Sequence, residues 1–491
     1  MDYEEIAREK LDEEKYTEAI EMLNCAIEEQ PCNQELYILR GDAKFNLDML
    51  EEAIIDYDKA IELDNTNEQC YYMRGLSKQL LDRHKEAEID LTRAIFLDKD
   101  DYWAYLLRGE IRNSLEDYAK AFDDYYKALK IAPYDDKCYT YLADCKIQLE
   151  LYEDALKIYN EFLNLNGDNP IVYCNMAKIY IELREFEKAV EYYTKAIEAE
   201  PDNSEYYKLR GIAYEKCNKP QQAINDYTKL IELSPDSDEG YIYRGDAYQD
   251  LDKYEEAIAD YDKVIELDMA YEGLYIAKGY SNLQLDDYES ALEDFNKAIE
   301  MDSKFAKGYY YIAQTQYIQE EYDEALKNIE KAILLDNTNI KFFSQRGLIY
   351  EEMGHNKDAE KDFSIVISNK ADDDILLHRA RVRYFLEDYS KALEDCNQGL
   401  EINPKNAKLY LKRGDILDEL ENYKEAITDY NTSIELEPNS ATAYNLRGYT
   451  REKCGELRLA LQDYKKALEI SPNYVAAKDN FNRVNQKLVI L

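Results

Sequence analysis

Alanine recurs at positions 19, 53, 87, 121, 155, 189, 223, 257, 291, 325 and 359, always 34 residues apart, and after one 33-residue step it returns at 392, 426 and 460. Twelve residues before each stands a glycine or another alanine: Ala7, Gly41, Gly75, Gly109, Ala143, Ala177, Gly211, Gly245, Gly279, Ala313, Gly347, Ala380, Gly414 and Gly448. Both positions are kept in all fourteen copies, so one supersecondary unit has been repeated along the chain. Its length fits two helices of about 14 residues and a tight turn. Small side chains at the crossing let the two backbones approach, where a leucine would wedge them apart. Gly and Pro number only 16 and 9, which leaves little room for long linkers. Both helices therefore belong to one continuous all-helical array.

Four residues before the first small position stands an aromatic in most copies, such as Tyr37, Tyr105, Tyr207 and Tyr444, with Phe343 and Leu376 as replacements. A ring there suits the seam between neighbouring pairs, with its hydroxyl expected to reach water. Proline follows the second helix at 31, 133, 201, 235, 404, 438 and 472, where it ends one helix and can start the next.

On these residues the chain resembles the tetratricopeptide repeat family, a 34-residue helix–turn–helix with small residues at its eighth and twentieth positions, an aromatic at its twenty-fourth and proline near its end. The resemblance implies an all-α fold: a right-handed superhelical α-solenoid of about fourteen tetratricopeptide helix pairs over residues 1–472, plus a C-terminal capping helix over 473–491. A terminal cap is needed because the last pair otherwise exposes its apolar face. Tyr474, Ala477, Phe481, Val484, Leu488 and Leu491 form the stripe that would dock it.

Ten repeats carry a base just before the first small residue and an aspartate sixteen positions later: Arg40–Asp56, Arg74–Asp90, Arg108–Asp124, Arg210–Asp226, Arg244–Asp260, Lys278–Asp294, Arg346–Asp362, Arg379–Asp395, Arg413–Asp429 and Arg447–Asp463. The other four lose both together, as Ile6/Met22, Leu142/Ile158, Met176/Tyr192 and Ile312/Asn328. A buried charge left without its partner costs roughly 3–5 kcal/mol, whereas two apolar replacements can be neutral. The pattern predicts contact between the two helices of one repeat, a structural role rather than acid–base catalysis.

The net charge of −43, from 104 acids and 61 bases, would repel a phosphate backbone and disfavours nucleic-acid binding. Met1-Asp2-Tyr3-Glu4-Glu5 lacks the basic and apolar parts of a signal peptide, and no apolar run approaches the roughly 18 residues of a membrane helix. Nine scattered Cys without a C-x-x-C pair point to reduced packing cysteines and a cytoplasmic location. His84, His355 and His378 are isolated, and no phosphate-binding glycine loop is present. No enzyme activity, cofactor or metal site is expected.

Resemblance to the family further implies that first helices of successive repeats line a groove for peptides or partner helices. Most of that surface is acidic here, with Asp42, Glu110, Asp144, Glu239 and Asp246. Repeats 10 to 13 differ, presenting Lys307, Tyr310, Gln314, Tyr317, Lys341, Arg381, Tyr384 and Lys408 as candidate peptide-binding residues. Cations beside exposed rings suit acidic or aromatic segments. The expected function is a non-catalytic protein–protein interaction scaffold or adaptor. Alternatives are a regulatory subunit of a separate enzyme and a structural solenoid that self-associates head to tail. The last is suggested by residues 1–30 at net −8 and 441–491 at net +4. Two irregularities are expected as well: the missing residue near Asn369–Asp374, and the loop Asn166-Gly167-Asp168-Asn169 with Phe162 where alanine is usual.

Overall fold

The fourteen alanines of the 34-residue series are completely buried, at 0% exposure, at the crossings of paired helices. The small residue twelve positions earlier answers to a different neighbour. At Gly41, Gly109, Gly211, Gly245, Gly279, Gly347, Gly414 and Gly448 an added Cβ would come within 2.4–2.8 Å of a ring carbon of the aromatic sixteen residues on. Tyr57, Tyr125, Tyr227, Tyr261, Phe295, Phe363, Tyr430 and Tyr464 thus lie flat on a bare helix backbone, and the glycine is the space they occupy.

The structure is a computed structural model that describes residues 2–133 and 135–490, with side chains through Leu488. Among the described residues it has twenty-nine helices and no strand, forming fourteen pairs and a last helix, Val475–Ile490. First helices such as Gln34–Asn46 and Ser204–Lys216 run thirteen residues, and second helices such as Leu50–Leu63 run fourteen. Asn33, Asn67, Asp101, Asp135, Asn169, Asn203, Asn339, Asp372 and Asn406 cap first helices by accepting a hydrogen bond from an amide of the first turn.

The turn inside every repeat passes through one left-handed residue. Glycine fills it only at Gly354 and Gly455; Glu14, Asp48, Asp82, Glu116, Glu150, Arg184, Asn218, Asp252, Asp286, Glu320, Glu387 and Glu421 hold φ of 56–64° in the others. The following amide then returns to the first helix, as Met49 N donates to the Lys44 carbonyl at 2.9 Å, which satisfies an otherwise open helix end.

Two expectations are corrected. At several repeat seams the ring hydroxyl turns toward the preceding loop rather than to water: Tyr37 donates to the Pro31 carbonyl and Tyr207 to the Pro201 carbonyl, both at 3.1 Å. A buried hydroxyl otherwise lacks a partner, and the loop carbonyl lies within reach. The recurrent prolines stop a helix without starting the next. Pro31 lies between the cap residues Gln30 and Asn33, whereas Pro170 and Pro220 are the ones that occupy first-turn positions.

The chain divides into two compact units, Met1–Gly240 and Tyr241–Leu491. In the first, helix pairs stack in sequence order, and first helices form a wall in which Gln34–Asn46, Glu68–Leu80 and Tyr102–Ser114 touch in turn. The second is built likewise through the pairs after Tyr241 and closes with Val475–Ile490, whose Ala477 and Val484 are fully buried against the last pair, Phe481 and Leu488 packing beside them. Leu491, the end of the expected stripe, lies outside the described residues.

Both sequence irregularities have structural counterparts. The link after Asn369 has three residues before Asp373 instead of four, and the first helices Asp373–Phe385 and Ala407–Glu419 come closer than other such neighbours. Tyr152–Asn166 runs one residue long and ends on Gly167 at φ +83°. Phe162 is buried there edge-on to Tyr139, ring centres 5.4 Å apart, and its helix packs less closely on both neighbours than its counterparts do.

Candidate functional site

The ten base–aspartate pairs all meet. In nine an arginine grips the aspartate with two parallel bonds, Nε to Oδ2 at 2.7–3.1 Å and Nη2 to Oδ1 at 2.5–2.8 Å. Lys278 stands 3.5 Å from Asp294, a looser pairing that Asn282 supplements at 2.9 Å. The planar fork matches a carboxylate as an ammonium cannot. Where the pair is lost, Leu142, Met176 and Ile312 are buried apolar residues.

Sequence reasoning missed the third nitrogen. The Nη1 of Arg40, Arg74, Arg108, Arg210, Arg379, Arg413 and Arg447 donates backward to Asn24, Asp58, Thr92, Thr194, Ser364, Asn397 and Asn431 in the second helix of the preceding repeat, at 2.5–3.1 Å. Each arginine therefore ties two repeats together. A second base also reaches the buried aspartate in several copies, as Lys44 on Asp56 and Arg383 on Asp395. These charges are consumed by the framework.

The acids of the first-helix wall are held differently. The tyrosines on the helix crossings donate to three of them: Tyr57 to Asp42 at 2.8 Å, Tyr261 to Asp246 at 2.7 Å and Tyr430 to Asp415 at 3.1 Å. Burial raises the pKa of all three carboxyls, outweighing the hydrogen bond that lowers it, and burial likewise raises Glu110 and Asp144.

The eight candidate residues lie on four successive first helices of the second unit. Ala306–Ile318 carries Lys307, Tyr310, Gln314 and Tyr317; Ile340–Glu352 carries Lys341; Asp373–Phe385 carries Arg381 and Tyr384; Ala407–Glu419 carries Lys408. Lys307, Lys341 and Lys408 are exposed, and no acid pairs with any of them. Tyr310 is half-buried, its ring 5.2 Å from Phe342 and 5.1 Å from Tyr311, and burial raises its hydroxyl pKa. The Oε1 of Gln314 is buried without a hydrogen-bond partner, out of reach of a ligand on the wall. Tyr317 packs on Tyr322 at 5.7 Å.

Arg381 and Tyr384 are less available than their sequence positions imply. Nε of Arg381 lies 3.4 Å from Glu351, a carboxylate only 8% exposed whose other oxygen meets His378 Nδ1 at 2.6 Å. Tyr384 donates to Glu419 at 3.2 Å, with the Lys412 ammonium 4.5 Å from its ring centre. Glu351, His378 and Lys412 were not singled out from the sequence. Glu351 was recoverable, because it occupies the wall position that Tyr317 and Tyr384 hold in their own repeats.

At the end of the chain, Arg483 and Lys487 both reach Glu452, at 2.8 and 2.9 Å. Two of the bases behind the positive C-terminal count thus share one carboxylate within the chain. Among the described residues no helix is long and apolar enough to cross a membrane, and no group of three His, Cys, Asp or Glu could hold a metal ion.

Family models described as tetratricopeptide repeat match residues 34–67, 72–136, 170–203, 192–225, 239–268, 273–305, 373–406 and 441–474, and one described as TPR repeat matches 414–455. No curated protein matches the chain. Among solved structures, the APC/C hetero-tetramer Cut9-Hcn1 is 17% identical, with 97% of this chain and 95% of that one covered at a TM-score of 0.42. YrrB, a TPR protein with an unusual peptide-binding site, is 24% identical over 38% of this chain and 97% of its own, at a TM-score of 0.34. MamA is 25% identical over 35% and 94%, at 0.33.

Proposed function

The chain belongs to the tetratricopeptide repeat family, and we propose that it is a non-catalytic cytoplasmic scaffold whose first-helix wall in repeats 10 to 13 holds acidic or aromatic segments of partner proteins. Interaction with other proteins is the general work of such repeats. The observation that carries the finer reading is the set of Lys307, Lys341 and Lys408. They are exposed and form no ion pair, on a stretch of wall less acidic than the rest of a chain of net charge −43. Tyr310 and Tyr317 supply rings beside them. An acidic segment would gain charge-assisted bonds there, and an aromatic one would gain ring contacts.

The test is peptide display against the immobilised full chain, repeated with Lys307→Glu, Lys341→Glu and Lys408→Glu combined. Enrichment of acidic or aromatic sequences that disappears in the triple variant is expected. Identical enrichment by both proteins would remove these lysines from the binding surface. Head-to-tail assembly is less favoured, because Glu452 already holds Arg483 and Lys487.

A further inference from the structure

A second site lies in the first compact unit, away from the lysines above and independent of them. Between repeats 5 and 6 the wall opens into a cavity of about 240 Å³ bounded by Asp144 and Ile147 of Asp136–Gln148, Tyr152 at the start of the following helix, and Lys178, Ile179 and Glu182 of Pro170–Glu182. The helix between its two walls, Tyr152–Asn166, is the one that packs less closely on both neighbours.

The charges around this cavity are unlike those elsewhere. In repeats 2, 8 and 13 a tyrosine hydroxyl occupies the wall aspartate. In repeat 5 the equivalent ring is Tyr159, and Ala143 adds a methyl where Gly41, Gly245 and Gly414 have none. Tyr159 is fully buried, and its hydroxyl turns to Asn175, another residue lining the cavity, rather than to Asp144. Asp144 consequently keeps both carboxylate oxygens unused. Its surface is wetted, but protein surrounds it closely enough for burial to raise its pKa, with Lys178 only partly offsetting this. Lys178 and Glu182 are exposed and also make no ion pair. Two carboxylates and one ammonium that make no ion pair thus border one small cavity.

From this arrangement we infer that the cavity binds the ammonium or guanidinium end of a lysine or arginine side chain carried by a partner polypeptide. Asp144 and Glu182 take the cation. Ile147, Ile179 and the Tyr152 ring cover its alkyl stem, with the ring face also favouring positive charge. Lys178 selects the source: its ammonium repels a bare polyamine but donates to the backbone carbonyl that a polypeptide brings with it. A strongly negative protein also concentrates cationic segments around itself, which raises the encounter rate.

Methyl-labelled isoleucine spectra of the full chain test this, with Ile147 and Ile179 as reporters at the cavity and Ile349 as a distant control. Titration with Ac-Gly-Arg-Gly-NH2 or Ac-Gly-Lys-Gly-NH2 is expected to move both reporters saturably, and Ac-Gly-Gln-Gly-NH2 roughly tenfold less, as for loss of one charge-assisted contact. Asp144→Asn, with the control methyl unmoved, is expected to weaken peptide binding by about the same factor. Glu182→Gln is a second variant on the opposite wall and is expected to act in the same direction. Lys178→Gln should weaken the peptides while strengthening spermidine. Reporters that stay still, or equal affinity in Asp144→Asn, would overturn the site. Spermidine binding as tightly as the peptides to the unaltered chain would overturn its assignment to a polypeptide.

Discussion

Replacing Gly109 by alanine sets two well-measured effects against each other at one atom. In an unhindered helix the change is stabilising by about 1 kcal/mol, because glycine loses more backbone freedom on folding. Here the new Cβ would lie 2.6, 2.8 and 3.0 Å from Cε1, Cδ1 and Cζ of Tyr125. That ring cannot easily retreat, being 2% exposed and stacked on Tyr141 at a centroid distance of 4.9 Å. Overpacking of this kind costs about 1–3 kcal/mol. With a cost near 2 kcal/mol, the net effect is destabilisation by about 1 kcal/mol. Placed in a Tyr125→Ala background, the same alanine has room and should be stabilising by about 1 kcal/mol, a coupling of about 2 kcal/mol. The assay is native-state hydrogen exchange of amides in 102–131, which reads local opening without requiring a long repeat array to unfold in one step. If Gly109→Ala alone raises protection as an ordinary helix substitution does, the ring is not filling the glycine's space and the packing argument fails.

Three further outcomes follow from the same geometry. Arg346→Leu or Asp362→Leu should each cost about 3 kcal/mol in local stability by exchange, and the double substitution should recover most of it; additive losses would show that the two residues act separately. Glu116→Gly should be stabilising by about 1 kcal/mol, since Glu116 holds φ of 61°; a lower denaturation midpoint would contradict a strained turn. The carboxyl of Glu452 would be raised by burial, but bonds from Arg483 and Lys487 outweigh this and lower its pKa from 4.5 to about 2. A depressed carboxylate contributes stability above its unfolded pKa and loses that contribution as pH falls from about 4.5 through about 2. Exchange protection of 475–488 should therefore fall in that window, and Glu452→Gln should show the loosened state already at pH 7; protection insensitive to both changes would mean that apolar contacts alone dock the last helix.

Much of this was legible because repetition supplies its own comparisons. The meeting of Arg40 with Asp56 could be read from four repeats that discard both partners at once, and fourteen small residues in register located the helix crossings. Residues whose role depends on a neighbouring repeat were harder to read. Nothing about Asn24, Thr92 or Ser364 announces that an arginine of the next repeat will seek it. The left-handed turn was hidden since glutamate and aspartate usually fill it, where glycine would have been the signal. Arg381 looked free until Glu351, one repeat earlier, proved to lie beside it. Phe162 was visible as an intruder in the series, but how loosely its helix packs on both neighbours was not. The division at Gly240 has no counterpart in composition or spacing.

The backward reach of the arginines has a mechanical consequence. A stack of repeats resists unravelling in proportion to the bonds joining each link to the previous one. Where an arginine straddles the joint, loosening one link forfeits hydrogen bonds in two. Repeats 5 and 6, adjacent in the chain, carry Leu142 and Met176 instead and lack this backward bond. Pulled from its ends or eroded by denaturant, the first unit should come apart there as along a perforation, yielding blocks on either side that still hold together.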